Sequence, residues 1–190
     1  EGSEIIGNGG SSRNGGGVRQ SARDPRELPL AMYAVEHMWP TLSEELDMDV
    51  EYAKKGNLRL GKSEAHQKIL QGLCDRCTAL GLDVRMLSGD DVRQINPYLS
   101  EEVTCASWCP TDGHANPLKA TLAYYRAALR LGVHFYTKEQ AVELVMERGR
   151  LRYVKTACGD IFEGETILVA AGYSSGALLH TVGVNIPMNK

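Results

Sequence analysis

The chain has 190 residues, 43% of them hydrophobic and 24% charged, with a formal net charge of −3. This is the composition of a globular protein long enough to build a core, and its slight acidity gives no field that would draw in nucleic acid. No apolar run approaches the ~20 residues of a membrane-spanning helix, and five scattered cysteines suit a reducing cytoplasm better than a disulfide framework.

The chain opens on a glycine-rich stretch, with seven glycines among its first seventeen residues. Ser11 and Ser12 are suited to cap a short helix opening at Arg13. Asn14 is followed by Gly15, Gly16, Gly17, Val18 and Arg19. Three successive glycines cost about 1 kcal/mol each inside a helix. They belong where backbone passes close to something flat, or where N–H groups converge on an anion. The same composition also reads as a flexible leader.

Asp24-Pro25-Arg26-Glu27 has the form of a helix start, with Asp as cap and Pro at the first helical position. Leu28, Met32, Val35, Trp39, Leu42 and Leu46 then recur on one helical face. Pro40 interrupts that face and predicts a kink near Glu36. Residues 50–60 read as a strand and return, with Gly56-Asn57 as the turn. Ser63 caps a helix running to Leu80 and stopped by Gly81. Residues 84–87 read as a short strand, and Ser88-Gly89-Asp90-Asp91 opens a short helix that ends before Pro97.

Residues 103–109 read as a strand, followed by an Asp112-Gly113 turn. Asn116 caps a helix from Pro117 to Leu131, stopped by Gly132. Residues 133–136 read as a further strand. Residues 142–146 and 151–155 flank a glycine-containing hairpin loop. The apolar run Ile167-Leu168-Val169-Ala170-Ala171 reads as a strand buried on both faces of a parallel sheet. Gly172 ends it, and Ser174 or Ser175 caps a last helix.

Ser11-Ser12-Arg13-Asn14-Gly15-Gly16-Gly17-Val18-Arg19 resembles the segment after the first dinucleotide-binding unit in the D-amino-acid oxidase superfamily. Glycine oxidase, the sarcosine oxidase β subunit and the D-amino-acid and proline dehydrogenases belong to that superfamily. The strand-Asp-Gly-x-x-x-Pro-helix arrangement at residues 103–131, and the hairpin followed by a strand ending Ala170-Ala171-Gly172, resemble its later parts. The resemblance runs over nearly the whole chain but covers only the middle of that fold.

The resemblance implies a mixed α/β (α+β) fold: part of a Rossmann-like FAD domain joined to part of an antiparallel-sheet substrate domain. Residues 1–48 would carry the flavin loop and helix, 49–112 part of the substrate domain, and 113–190 the return to the FAD domain. It implies FAD as cofactor, approached by Glu1 (at the ribose), Ser11, Ser12, Arg13, Asn14, Gly15, Gly16, Gly17, Val18, Val142, Ala170, Ala171 and Gly172. Arg19 matches an arginine near the substrate carboxylate, which a guanidinium binds bidentately. The substrate would be an amino acid or secondary amine, and other subunits of a hetero-oligomeric dehydrogenase are implied partners. No G-x-G-x-x-G phosphate loop occurs ahead of Ser11, so this chain alone is expected to hold FAD weakly.

Cys74 and Cys77 form a C-x-x-C, and Cys105 and Cys109 a C-x-x-x-C; four thiolates are also a zinc or redox set. Positions 74 and 77, however, continue the apolar face of Ile69, Leu70, Leu73 and Leu80, which reads as core. Asp112 and His114 form a potential acid–base pair, although the turn already accounts for Asp112. The alternative to an oxidoreductase is a non-catalytic α/β domain that binds a partner.

Overall fold

The computed structural model describes residues 1–187; the last three residues of the 113–190 segment lie outside it. Chain contacts divide it into two units, one of residues 14–127 and one of Glu1–Arg13 with the residues from Ala128 onward.

The larger unit is built on a three-stranded antiparallel sheet in the order β2-β4-β3, with β2 at Asn57–Gly61, β3 at Arg85–Ser88 and β4 at Cys105–Cys109. These are the strands expected at residues 50–60, 84–87 and 103–109, the first and third trimmed to the part that pairs and the second shifted by one residue to include Ser88. Residues 50–56 make only an isolated bridge, from Ala53 to His114. Gly56 takes φ +81°, and a Cβ on it would sit 1.9 Å from the Trp108 ring. The indole therefore lies where only glycine fits, and this fixes the start of β2.

The period of two along β4 sorts its side chains between two helices. Cys109 packs with Leu28, Leu73, Cys74, Cys77, Leu82 and Val84. Ala106 packs with Val92 and Val103. The first helix, α3 (Glu64–Ala79), is capped by Ser63, whose hydroxyl accepts the His66 N–H. It ends in a Schellman arrangement, with Leu82 N–H to Cys77 O and Gly81 at φ +85°. The second, α4 (Gly89–Ile95), opens on a complete capping box between Ser88 and Asp91. All three of these signals were legible in the sequence.

The amphipathic stretch after Asp24 forms α1 (Leu28–Tyr33), a π turn (Ala34–Met38) and α2 (Leu42–Glu45). Pro40 has no N–H and crowds the preceding turn, and the ladder widens just ahead of it, with Trp39 N–H reaching Ala34 O. The expected kink is this π turn. Helix α1 begins three residues later than the Asp24 signal implied. The Asp24 carboxylate instead accepts the Arg26 N–H and guanidinium, which hold it well below the usual carboxylate range.

Two further strands, β1 (Gly17–Val18) and β5 (Gly113–His114), pair antiparallel. The helix α5 (Pro117–Arg130) follows, with the Asn116 side chain accepting the Leu118 and Lys119 N–H groups. Ala123 of α5 closes a core cluster with Leu42, Leu46 and Val50.

The other unit contains a second antiparallel sheet, β6-β7-β8, of Ala141–Glu147, Arg150–Thr156 and Ile161–Glu163. Arg148 and Gly149 both have positive φ, as a two-residue hairpin turn requires. The short helix α6 (Ser175–His180) lies on β6, with Leu144 N–H donating to Thr181 Oγ1 at 3.0 Å.

Two expected strands are not formed. Residues 133–136 form no ladder; Tyr136 O accepts the N-terminal ammonium, and the backbone just beyond meets the same segment through Lys138 N–H to Ser3 O and Glu139 N–H to Glu1 O. Residues 167–171 are also unpaired, and Leu168 is 88% exposed. An apolar run becomes a strand only where it joins a ladder with another backbone, and neither segment does so among the described residues. The helix expected to open at Arg13 is likewise only a turn, closed by Ser12 and Arg13 N–H groups to Gly9 O.

Candidate functional site

The glycine-rich loop is held by the larger unit at three successive points. Asn14 Oδ1 accepts the Gly16 N–H at 2.9 Å. Gly16 sits at φ +69°, and its carbonyl accepts the Ala115 N–H at 2.9 Å. Gly17 and Val18 then pair with His114 and Gly113 in the β1–β5 ladder. Val18 is buried with Val35 and Ala115.

The glycines of this loop divide by what a side chain would meet. A Cβ on Gly16 would stand 2.2 Å from the Ala115 carbonyl oxygen, so the protein's own fold demands glycine there. A Cβ on Gly17 would stand 3.2 Å from Arg19 Nε, so Gly17 leaves the lane along which Arg19 lies. A Cβ on Gly15, Gly9 or Gly10 meets nothing within 4 Å. No internal packing calls for glycine at those three positions. Open backbone there is what close approach of a flat ligand such as a flavin needs, and in this respect the loop fits FAD.

Beyond Val18 the loop exit is clamped. Asp112 is fully buried. Its Oδ1 accepts the Gln20 N–H at 2.7 Å and the Ser21 N–H at 3.4 Å, and its Oδ2 accepts the Ser21 hydroxyl at 2.5 Å. Gln20 is buried too and donates through Nε2 to Thr111 Oγ1 at 2.9 Å. Arg19 is thus fixed by main-chain anchors on both sides. Its side chain is half-buried, and among the described residues it has no ion-pair partner.

The sequence treated Asp112 as a turn former and missed this role. A carboxylate buried beside an N–H pair 91 residues away leaves no local signal. His114 is exposed on β5, and the Asp112 oxygens are taken by Gln20 and Ser21 rather than by the imidazole. Tyr52 stacks on Trp39 with ring centroids 5.5 Å apart, and its hydroxyl is buried without a partner among the described residues. Burial and the nearby Asp112 charge raise its pKa.

The remaining expected cofactor positions belong to the other unit. Glu1 is exposed, and its carboxylate accepts the Ser3 N–H at 2.9 Å. Arg13 donates to Asn8 Oδ1 at 2.6 Å, while Ser11 and Ser12 lie in the turn ahead of it. Val142 occupies a register shift in β6 between Ala141 and Glu143 and is 45% exposed. Ala170 and Ala171 are exposed, and Gly172 takes φ +56° at the start of a 3₁₀ turn. Asn14, Gly15, Gly16, Gly17, Val18 and Arg19 are therefore brought together in one unit, and Glu1, Ser11, Ser12, Arg13, Val142, Ala170, Ala171 and Gly172 lie in the other.

Cys74, Cys77 and Cys109 pack together in the core under α3. Burial pushes the Cys74 thiol up to about 11, the reverse of what a metal-binding or nucleophilic thiol needs.

The chain is 30% identical over 162 residues to glycine oxidase of Bacillus subtilis (strain 168), an alignment covering 82% of this chain and 41% of that enzyme. It is 25% identical over 159 residues to sarcosine oxidase subunit beta of Arthrobacter sp, covering 80% of this chain and 38% of the relative. Its fold superimposes on L-proline dehydrogenase from P. horikoshii with a TM-score of 0.85 at 25% identity, over 100% of this chain and 50% of that one. The chain thus spans about half the length, or less, of the proteins it matches. The family model described as FAD dependent oxidoreductase matches residues 1–189, and the chain belongs to that FAD-dependent family.

Proposed function

We propose that this chain contributes the flavin-side loop and part of the substrate side of an enzyme that oxidises the C–N bond of an amino acid or secondary amine of the D-amino-acid, glycine, sarcosine or proline type. FAD, when bound, supplies the redox chemistry by taking a hydride equivalent from that bond, and the resulting imine hydrolyses. The observation that carries the reading is Arg19: a half-buried guanidinium with no ion-pair partner among the described residues, anchored between the β1 ladder and the Asp112 clamp. Such a group suits a substrate carboxylate, because the planar fork binds two oxygens and the clamp limits its entropy loss.

In this reading the backbone from Asn14 to Val18 would hold the flavin, with Gly15 leaving room for its close approach. Glu1, Ser11, Ser12, Arg13, Val142, Ala170, Ala171 and Gly172 serve the rest of the cofactor. Residues 1–48 and 113–190 serve the cofactor side, and 49–112 the substrate side. The relative named as a sarcosine oxidase subunit supports further subunits as partners, and five free cysteines suit a cytoplasmic setting.

The test is Arg19→Gln in the intact flavoprotein, assayed with glycine, sarcosine and D-proline and with a carboxylate-free amine. Loss of a bidentate contact should raise KM for the amino acids by roughly tenfold or more. Flavin content and turnover of the carboxylate-free amine should hold. Unchanged KM values for all three amino acids would remove Arg19 from the substrate site.

A further inference from the structure

A cleft with a volume of about 280 Å³ lies in the larger unit, lined by residues other than Arg19. Its floor is apolar, formed by Leu28 of α1 with Leu73 and Leu80 of α3 and its C-cap. Three arginines stand around it, Arg23, Arg59 and Arg76, and no carboxylate lines it.

The origin of this charge is in the pleat of the sheet. Arg59 pairs with Ser107, so it shares the face of Cys105 and Cys109, the face that α3 covers. Arg59 is nevertheless exposed, at the edge of the sheet where α3 leaves the strand open. Arg76 follows Leu73 by three positions on α3 and rises beside the same floor. Among the described residues neither Arg59 nor Arg76 forms an ion pair. Arg23 donates Nε to Arg19 O at 3.3 Å, and its terminal nitrogen approaches Glu27 at 3.9 Å. Three exposed guanidiniums around an uncharged floor give the cleft a positive rim. The floor would exclude a bare hydrated ion but favour an apolar body.

We propose that this cleft is a binding site for a small organic anion that carries an apolar body, with a carboxylate or phosphate-monoester head set among Arg23, Arg59 and Arg76. The volume is at the small end of ligand pockets, which limits the body to a short aliphatic chain or a single ring. Arg19 does not line the cleft, but its carbonyl accepts the Arg23 Nε–H, so the cleft adjoins the proposed amine site without including its guanidinium among the lining residues.

The test is calorimetric titration of the intact protein with hexanoate, hexyl phosphate, 1-hexanol and inorganic phosphate. Hexanoate or hexyl phosphate should bind saturably, and whichever binds more tightly identifies the head group. Hexanol and inorganic phosphate should each bind at least tenfold more weakly than the better hexyl anion, since one lacks the head and the other the body. The double variant Arg59→Gln/Arg76→Gln should weaken that binding at least tenfold. Ile69→Gln, which makes the exposed apolar wall of the cleft polar, should weaken it with the arginines intact. Arg19→Gln should leave it unchanged. Equal binding of inorganic phosphate, or hexyl-anion binding that survives the double variant and disappears in Arg19→Gln, would overturn the proposal.

Discussion

Asp112 and Ser21 are joined by a 2.5 Å hydrogen bond between two buried side chains, and this contact ties the exit of the glycine-rich loop to the end of β4. The segment between residues 14 and 21 contains three glycines and has little stiffness of its own. Its conformation is imposed by a carboxylate that arrives 91 residues later. The same oxygens hold the Gln20 N–H, so both the backbone and the side chain at the exit are fixed by one residue.

Asp112→Ala should therefore destabilise the protein by about 2–4 kcal/mol, since it leaves two buried N–H groups and a hydroxyl without their charged acceptor. Asp112→Asn should cost less, because the amide oxygen still accepts one N–H. Urea unfolding followed by fluorescence of Trp39 and Trp108 measures both. An Asp112→Ala midpoint equal to that of the parent would show that the clamp carries no stability.

The loop glycines should separate fold from ligand. Gly16→Ala puts a Cβ 2.2 Å from the Ala115 carbonyl at φ +69° and should lower the melting temperature by several degrees. Gly15→Ala meets nothing within 4 Å and should leave melting unchanged. In the intact flavoprotein, however, Gly15→Ala should lower FAD affinity. Equal flavin retention in Gly15→Ala and parent would take Gly15 out of the cofactor contact.

Tyr52→Phe removes a hydroxyl that is buried without a partner among the described residues, while it keeps the ring on Trp39. An orphaned buried hydroxyl costs about 1–3 kcal/mol, so the variant should be neutral or more stable. If thermal unfolding shows Tyr52→Phe to be less stable by more than about 1 kcal/mol, the hydroxyl has a role in the fold.

Thiol chemistry gives a pH dependence of known sign. Burial raises the Cys74 thiol from its ordinary 9.0 to about 11. Between those values the unfolded chain has released the proton and the folded chain keeps it, so stability falls as pH rises from 9 towards 11. The fall should be on the order of 2 kcal/mol. Iodoacetamide at pH 8 should label the exposed Cys158 well before Cys74, Cys77, Cys105 or Cys109. Peptide mapping that finds Cys74 labelled as fast as Cys158 would contradict its place in the core.

The sequence by itself determined the local architecture. Ser63, Ser88 with Asp91, Asn116, Gly81 and Gly132 mark helix ends whose caps depend on residues within a few positions, and the Arg148-Gly149 turn sets its own hairpin. The oxidoreductase family was also legible, because it rests on the order of such local motifs and on the segment Ser11 to Arg19. Pairing between distant backbones was decided only by the tertiary structure. Residues 167–171 have a strand's composition but no ladder partner among the described residues, whereas Gly17-Val18 and Gly113-His114 pair because the fold brings them together. Asp112 belongs to the same class. A buried carboxylate is stable only where donors converge on it, and the donors at Gln20 and Ser21 reach Asp112 only once the fold has brought the loop exit to the end of β4.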